Sequence, residues 1–279
     1  ESLKFIERGF DPKLDREEGV ARDVFYHSAL NKRDVLIKVY TPPGDERSTE
    51  RYPVVYNLHG AGGGSAQRQW SRARKTLKDA IETGKVRPVI YVFADGLGDT
   101  FFLDDSDGKV FAESTIIKEL IPLIDSRYRT IAAREGRSIE GFSMGGGAAL
   151  RIAIKYPEWF TAVVSYGAAL IQGDSFQSGG PRASLAAAYR RDNPWRLAPA
   201  KAAEIREKLA IRMVCGELDG AGRGENGLYR LNVEFKEMLG RLGVPVDWIS
   251  VPGVAHDTKG LYGRAGLESL KFLEKRFGR

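Results

Sequence analysis

The stretch Gly141-Phe142-Ser143-Met144-Gly145 constrains this chain more than any other. It fits G-x-S-x-G, the pattern of a nucleophile elbow, in which a strand turns sharply into a helix. The turn lifts a serine hydroxyl into reach of a base. It also strains the backbone and brings strand and helix very close, so glycine two residues before and two after the serine removes the side chains that would collide. The bare pattern arises by chance in about one chain of this length in ten, so its surroundings decide. Upstream, Gly136 to Glu140 reads as a short strand with one strongly apolar residue, Ile139. Downstream, Ala149, Leu150, Ile152, Ala153 and Ile154 form an apolar helical stripe, which Tyr156-Pro157 ends.

Strand and helix patterns alternate on both sides of this elbow. Ala21 to His27 and Asp34 to Tyr40 read as half-buried antiparallel strands. Pro53 to Leu58 and Val89 to Phe93 are near-continuous apolar runs, as in a parallel sheet covered on two faces. Later strands are expected at 162–165, 211–215 and 246–251. Helices are expected near 66–81, 116–124, 200–209, 228–242 and 266–277. The pattern predicts an α/β fold, a doubly wound and mostly parallel sheet with helices on both faces. One domain over 1–279 accommodates it, with 1–22 as an N-terminal extension and 172–193 as an irregular, lid-like insertion.

The net charge is +6, from 43 basic and 37 acidic residues scattered among one another. Such a surface predicts no nucleic-acid partner. No run is long and apolar enough to span a bilayer, and Glu1-Ser2-Leu3-Lys4 shows no hydrophobic segment of a signal peptide. Compartment and oligomeric state are not legible. The single cysteine, Cys215, lies in an apolar run and reads as a buried, inert thiol. Gly60 to Gly64 lacks the lysine of a phosphate loop. Asp104 to Gly108 fails the calcium-loop spacing, and no histidine pair has zinc spacing.

A serine nucleophile needs a base, and the chain has three histidines. His27 lies in the first strand, and His59 sits in Leu58-His59-Gly60, directly after a strand. His256, between the last strand and the final helix, is therefore the expected base. A carboxylate must hold its tautomer, and the chain order Ser, Asp or Glu, His points to Gly216-Glu217-Leu218-Asp219. Asp219 is the choice and Glu217 the rival. Asp174 and Asp192 are further candidates, whereas Asp247 falls at the wrong end of its strand. The oxyanion donors are expected to be Met144 N–H and Ala61 N–H, with Gly62 as the alternative register. Phe142, Phe102 and Trp195 are the substrate-binding candidates, with Phe101 and Phe176 as further aromatics. Core packing is the alternative role for each of them.

Leu58-His59-Gly60, Gly141 to Gly146, Gly216 to Asp219 and Gly253-Val254-Ala255-His256 together resemble the "putative esterase" family. That family includes esterase D, the feruloyl esterase domains of xylanases, enterochelin esterase-like proteins and the mycolyltransferases. Asn193-Pro194-Trp195 and Glu119-Leu120-Ile121-Pro122 are similar to its feruloyl esterase-like branch. The resemblance runs roughly from Val35 to the end. It implies an α/β-hydrolase fold without a large cap, action on carboxylic esters without a cofactor, and Ser143, Asp219 and His256 as nucleophile, acid and base. The implied substrate is a small-molecule or polysaccharide-linked ester, with feruloyl, aryl or short acyl groups. An acyltransferase using an alcohol acceptor, or a catalytically silent binding module, are the alternative expectations.

Overall fold

The computed structural model describes residues 5–8 (backbone only), 19–44, 48–62, 65–172, 183–220 and 227–278. Among these, nine strands form one sheet: β1 (Phe5–Arg8), β2 (Val20–Ser28), β3 (Arg33–Thr41), β4 (Val54–Leu58), β5 (Ile90–Ala94), β6 (Arg137–Phe142), β7 (Ala162–Tyr166), β8 (Ala210–Gly216) and β9 (Val246–Val251). Their order is β1-β2-β3-β5-β4-β6-β7-β8-β9. The first three strands are antiparallel, and every pair from β5 to β9 is parallel.

Helices cover both faces. On one face lie α1 (Ala66–Glu82) and α9 (Thr258–Glu274), packed on Val55, Tyr91, Phe93 and Val164. The other face carries α2 (Ala112–Ser114), a π-helical turn (Thr115–Leu120) leading into α3 (Ile121–Arg127), then α4 (Met144–Lys155), α6 (Pro194–Ala200), α7 (Ala202–Lys208) and α8 (Leu228–Arg241). The expected doubly wound sheet with helices on two faces is thus observed.

The expected irregular stretch 172–193 differs from the structure. Ala183–Asp192 is a helix, α5, while 173–182 lies outside the described residues. Ala186, Ala188 and Tyr189 of α5 pack with Leu103 and Ile171 in a small cluster apart from the two main cores. The proposed extension 1–22 also contributes strand, because β1 pairs with β2 and β2 begins at Val20.

β6 is buried along its whole length despite its polar sequence. Burial is tolerable because its polar side chains find partners. Arg137 pairs with Asp125 and lies over the Trp159 ring, while Ser138 meets Thr161. Glu140 accepts from Asn57 Nδ2 at 2.5 Å and from the Tyr262 hydroxyl at 2.9 Å. Those bonds join β4, β6 and α9 beneath the elbow. β4 lies between β5 and β6, and the chain leaves it toward α1 while it leaves β6 toward α4. Crevices at such divergence points, beyond the carboxyl ends of parallel strands, are where α/β sheets place their sites.

Candidate active site

Ser143 stands at the turn between β6 and α4 with φ 58° and ψ −116°. Such a conformation costs a non-glycine residue on the order of 1–3 kcal/mol, and the surrounding packing enforces it. A Cβ on Gly145 would lie 2.1 Å from the Leu58 carbonyl oxygen, and one on Gly141 would lie 2.3 Å from the Gly145 carbonyl oxygen. Backbone alone fits at both positions. The Ser143 N–H donates to the Tyr166 carbonyl at 2.9 Å, and its carbonyl accepts from Ala169 N–H at 2.8 Å. The elbow is thereby pinned to the end of β7.

His256 follows β9 and directly precedes Asp257, which caps α9 by accepting from the N–H groups of Lys259 and Gly260. Its Nε2 lies 2.8 Å from Ser143 Oγ, and its Nδ1 lies 2.8 Å from Asp219 Oδ2. An ionised carboxylate only accepts hydrogen bonds, so Nδ1 carries the proton and Nε2 faces the serine as an acceptor. The Phe142 ring lies 4.6 Å from the imidazole, tilted by 31°, and buttresses it.

Asp219 sits just beyond β8, wholly buried, whereas the His256 side chain is 26% exposed. Asp219 Oδ1 has no hydrogen-bond partner among the described residues. The hydrogen bond between the carboxylate and the imidazole thus runs through Oδ2 alone. The Cys215 thiol also approaches Oδ2, at 3.8 Å, and burial beside this carboxylate pushes its pKa far up. Cys215 is a buried free thiol, in line with the sequence reading. The rival Glu217 is exposed and accepts from Ser250 Oγ instead.

The remaining candidates fall elsewhere. Asp192 pairs with Lys155 and Arg191, and Asp247 pairs with Arg212 where β8 and β9 begin. His27 pairs with Asp34 across β2 and β3. Asp174 and Phe176 lie outside the described residues. A cleft of about 520 Å³, lined in part by Arg134, Arg206, Asp247 and Arg276, opens at that same opposite edge of the sheet.

The loop after β4 is held by two contacts that sequence reasoning missed. His59, 1% exposed, accepts from Gly96 N–H at Nε2 and faces the Gly60 carbonyl with Nδ1, both at 2.9 Å. The Asp99 carboxylate accepts from Gly62 N–H at 3.0 and 3.1 Å. That N–H is therefore already engaged, while Ala61 is exposed. Met144 N–H is the first of α4 and has no acceptor within the helix.

One aromatic assignment is corrected. Phe102 is wholly buried, with its ring 5.1 Å from His59, so it supports the loop and presents no surface to a substrate. Trp195, half-buried, packs edge-on against Phe235 of α8 and donates its indole N–H to the Leu170 carbonyl. Phe142 meets His256 but is 5% exposed.

A family model described as "Putative esterase" matches residues 28–233. An endo-1,4-beta-xylanase/feruloyl esterase of Xylanibacter ruminicola is 34% identical over 158 residues, which cover 53% of this chain and 21% of that protein. An esterase of Mycobacterium tuberculosis is 35% identical over 128 residues, covering 44% of this chain and 27% of that protein. The match thus spans only between a fifth and a little over a quarter of these relatives' length. Among solved structures, a ferulic acid esterase superposes with a TM-score of 0.81 at 22% identity, covering 94% of this chain and 100% of that one. An S-formylglutathione hydrolase from Agrobacterium tumefaciens gives 0.75 at 20% identity, covering 98% and 99%. These likenesses establish the α/β-hydrolase type of fold. With a strand-to-helix serine turn at its centre and the family match running through it, the chain belongs to the Esterase family.

Proposed function

We propose that the chain hydrolyses carboxylic esters through an acyl-enzyme on Ser143. One observation carries the reading: an unbroken hydrogen-bonded line from Asp219 through His256 to Ser143. His256 Nε2 takes the hydroxyl proton as Oγ attacks the ester carbonyl, and Asp219 stabilises the imidazolium that forms. The tetrahedral oxyanion accepts from Met144 N–H and Ala61 N–H, with the first turn of α4 adding a favourable dipole. Ala61 is preferred over Gly62, whose N–H Asp99 already takes. The imidazolium then protonates the departing alcohol. Water, activated by the same imidazole, releases the acid and restores Ser143.

The substrate class we favour is an aryl ester, such as a feruloyl group on a polysaccharide, or a short acyl ester. Support comes from the feruloyl esterase name of the Xylanibacter relative and is an analogy. Mixing excess p-nitrophenyl acetate with protein should give a burst of nitrophenol, then a slower steady state, and Ser143→Ala should abolish both. A flat trace from well-folded protein would exclude the reading. Methyl ferulate, short acyl esters and S-formylglutathione, each assayed with and without an alcohol acceptor, would rank substrates and separate hydrolysis from acyl transfer.

A further inference from the structure

Phe101 and Phe102, in the loop after β5, have φ angles of 55° and 53°. Two consecutive bulky residues in the left-handed region are strained, and such a segment persists only where its surroundings hold it. Arg151 holds it. This side chain lies on α4, the helix that Ser143 begins, and is 1% exposed. Its guanidinium donates to the Phe102 carbonyl at 2.6 Å and to the Phe101 carbonyl at 3.4 Å, and it forms an ion pair with Glu113. Glu113 is fixed in turn by Lys155 Nζ at 2.7 Å and the Tyr156 hydroxyl at 2.8 Å.

The clamped segment places the buried Phe102 ring against His59. His59 Nε2 accepts from Gly96, so its proton is on Nδ1 and is donated to the Gly60 carbonyl. That carbonyl and the Ala61 N–H belong to one planar peptide, so aiming the first aims the second.

We infer that Arg151 is a positioning residue for the second oxyanion donor, acting through Phe102 and His59 on the Gly60–Ala61 peptide. Both donors are then referenced to α4: Met144 N–H at its first turn, and Ala61 N–H through the guanidinium farther along it. The inference rests on the acyl-enzyme reading above.

Two variants test it: Arg151→Lys, which keeps the charge but loses the planar fork, and the double variant Arg151→Met/Glu113→Gln, which removes both buried charges together. In p-nitrophenyl acetate hydrolysis, kcat should fall about 10-fold or more, with KM changed by less than about two-fold. The inhibition constant of phenylboronic acid, which forms a tetrahedral adduct, should rise with the loss in kcat. The His59 ring N–H resonance, assigned by comparison with His27→Gln and His256→Gln, should shift and exchange faster with solvent. Wild-type kcat in either folded variant, or an unmoved His59 resonance, would overturn the inference. Should neither Arg151 variant fold, Phe102→Leu carries the test: it must shift the same resonance and lower kcat at unchanged KM, and no change overturns the inference. An inactive wild type would refute the acyl-enzyme reading itself, and the His59 resonance would still judge the relay.

Discussion

His256 Nε2 lies 2.8 Å from Ser143 Oγ across a sequence separation of 113 residues. Two elements create this meeting. The elbow fixes the serine at the end of β6, and the loop after β9 delivers the histidine immediately before the cap of α9. Neither side chain reaches the other without the parallel order of β6, β7, β8 and β9.

The acid is the next point of test. Asp219 is buried against Nδ1, while Glu217 is exposed and bonded to Ser250. Asp219→Asn should lower kcat by roughly two to four orders of magnitude, because an amide does not fix the Nδ1–H tautomer. Glu217→Gln should cost less than about three-fold. Steady-state kinetics on both variants, with circular dichroism to establish folding, separate the two carboxylates. The reverse ranking would move the acid to Glu217.

Glu140 supplies a pH dependence of stability. Burial pushes its carboxyl up to about 7 from an ordinary 4.5, while bonds from Tyr262 and Asn57 pull it partly back. The folded state therefore holds this proton more tightly than the unfolded chain does. The contribution is fully present below about pH 4.5 and is lost as pH rises through about 7. It amounts to roughly 3 kcal/mol between those limits. Glu140→Gln, which does not titrate, should show a denaturant midpoint that changes less with pH between those two limits. Equal slopes for wild type and variant would show that this carboxyl does not titrate differently on folding.

Gly145→Ala tests the crowding at the elbow. Its Cβ would sit 2.1 Å from the Leu58 carbonyl oxygen, which is backbone and has little room to retreat. The variant should lose about 3 kcal/mol or more of stability or shift the Ser143 turn enough to lower turnover by about 100-fold. A denaturation curve and a rate constant matching those of wild type would mean that β4 and α4 are not in such contact.

Much of this arrangement was legible because it rests on local rules. The apolar runs Pro53 to Leu58 and Val89 to Phe93 became β4 and β5, and the glycines around Ser143 mark a place where strand and helix approach too closely for side chains. What escaped depends on tertiary partners. β6 reads as a weak strand because its polar residues look unsuited to burial until Asp125, Thr161, Asn57 and Tyr262 are seen beside them. α9 begins at Thr258, ahead of the expected Gly266, because Gly260 and Gly263 lower the local propensity while the Asp257 cap and packing against α1 restore the helix. α5 follows a glycine- and serine-rich stretch and reads with it as irregular, although its alanines favour a helix. Arg151 and His59 look like an ordinary helix arginine and a loop histidine until their carbonyl partners appear.

The central claim is that Ser143 is the nucleophile and His256 its base. A fluorophosphonate probe tests it most directly, with intact mass and peptide mapping as the readout. The account predicts one adduct per chain, on the peptide carrying Ser143, with labelling lost in Ser143→Ala and slowed by about three orders of magnitude in His256→Ala. An adduct on another residue, or wild-type labelling speed in folded His256→Ala, would contradict it.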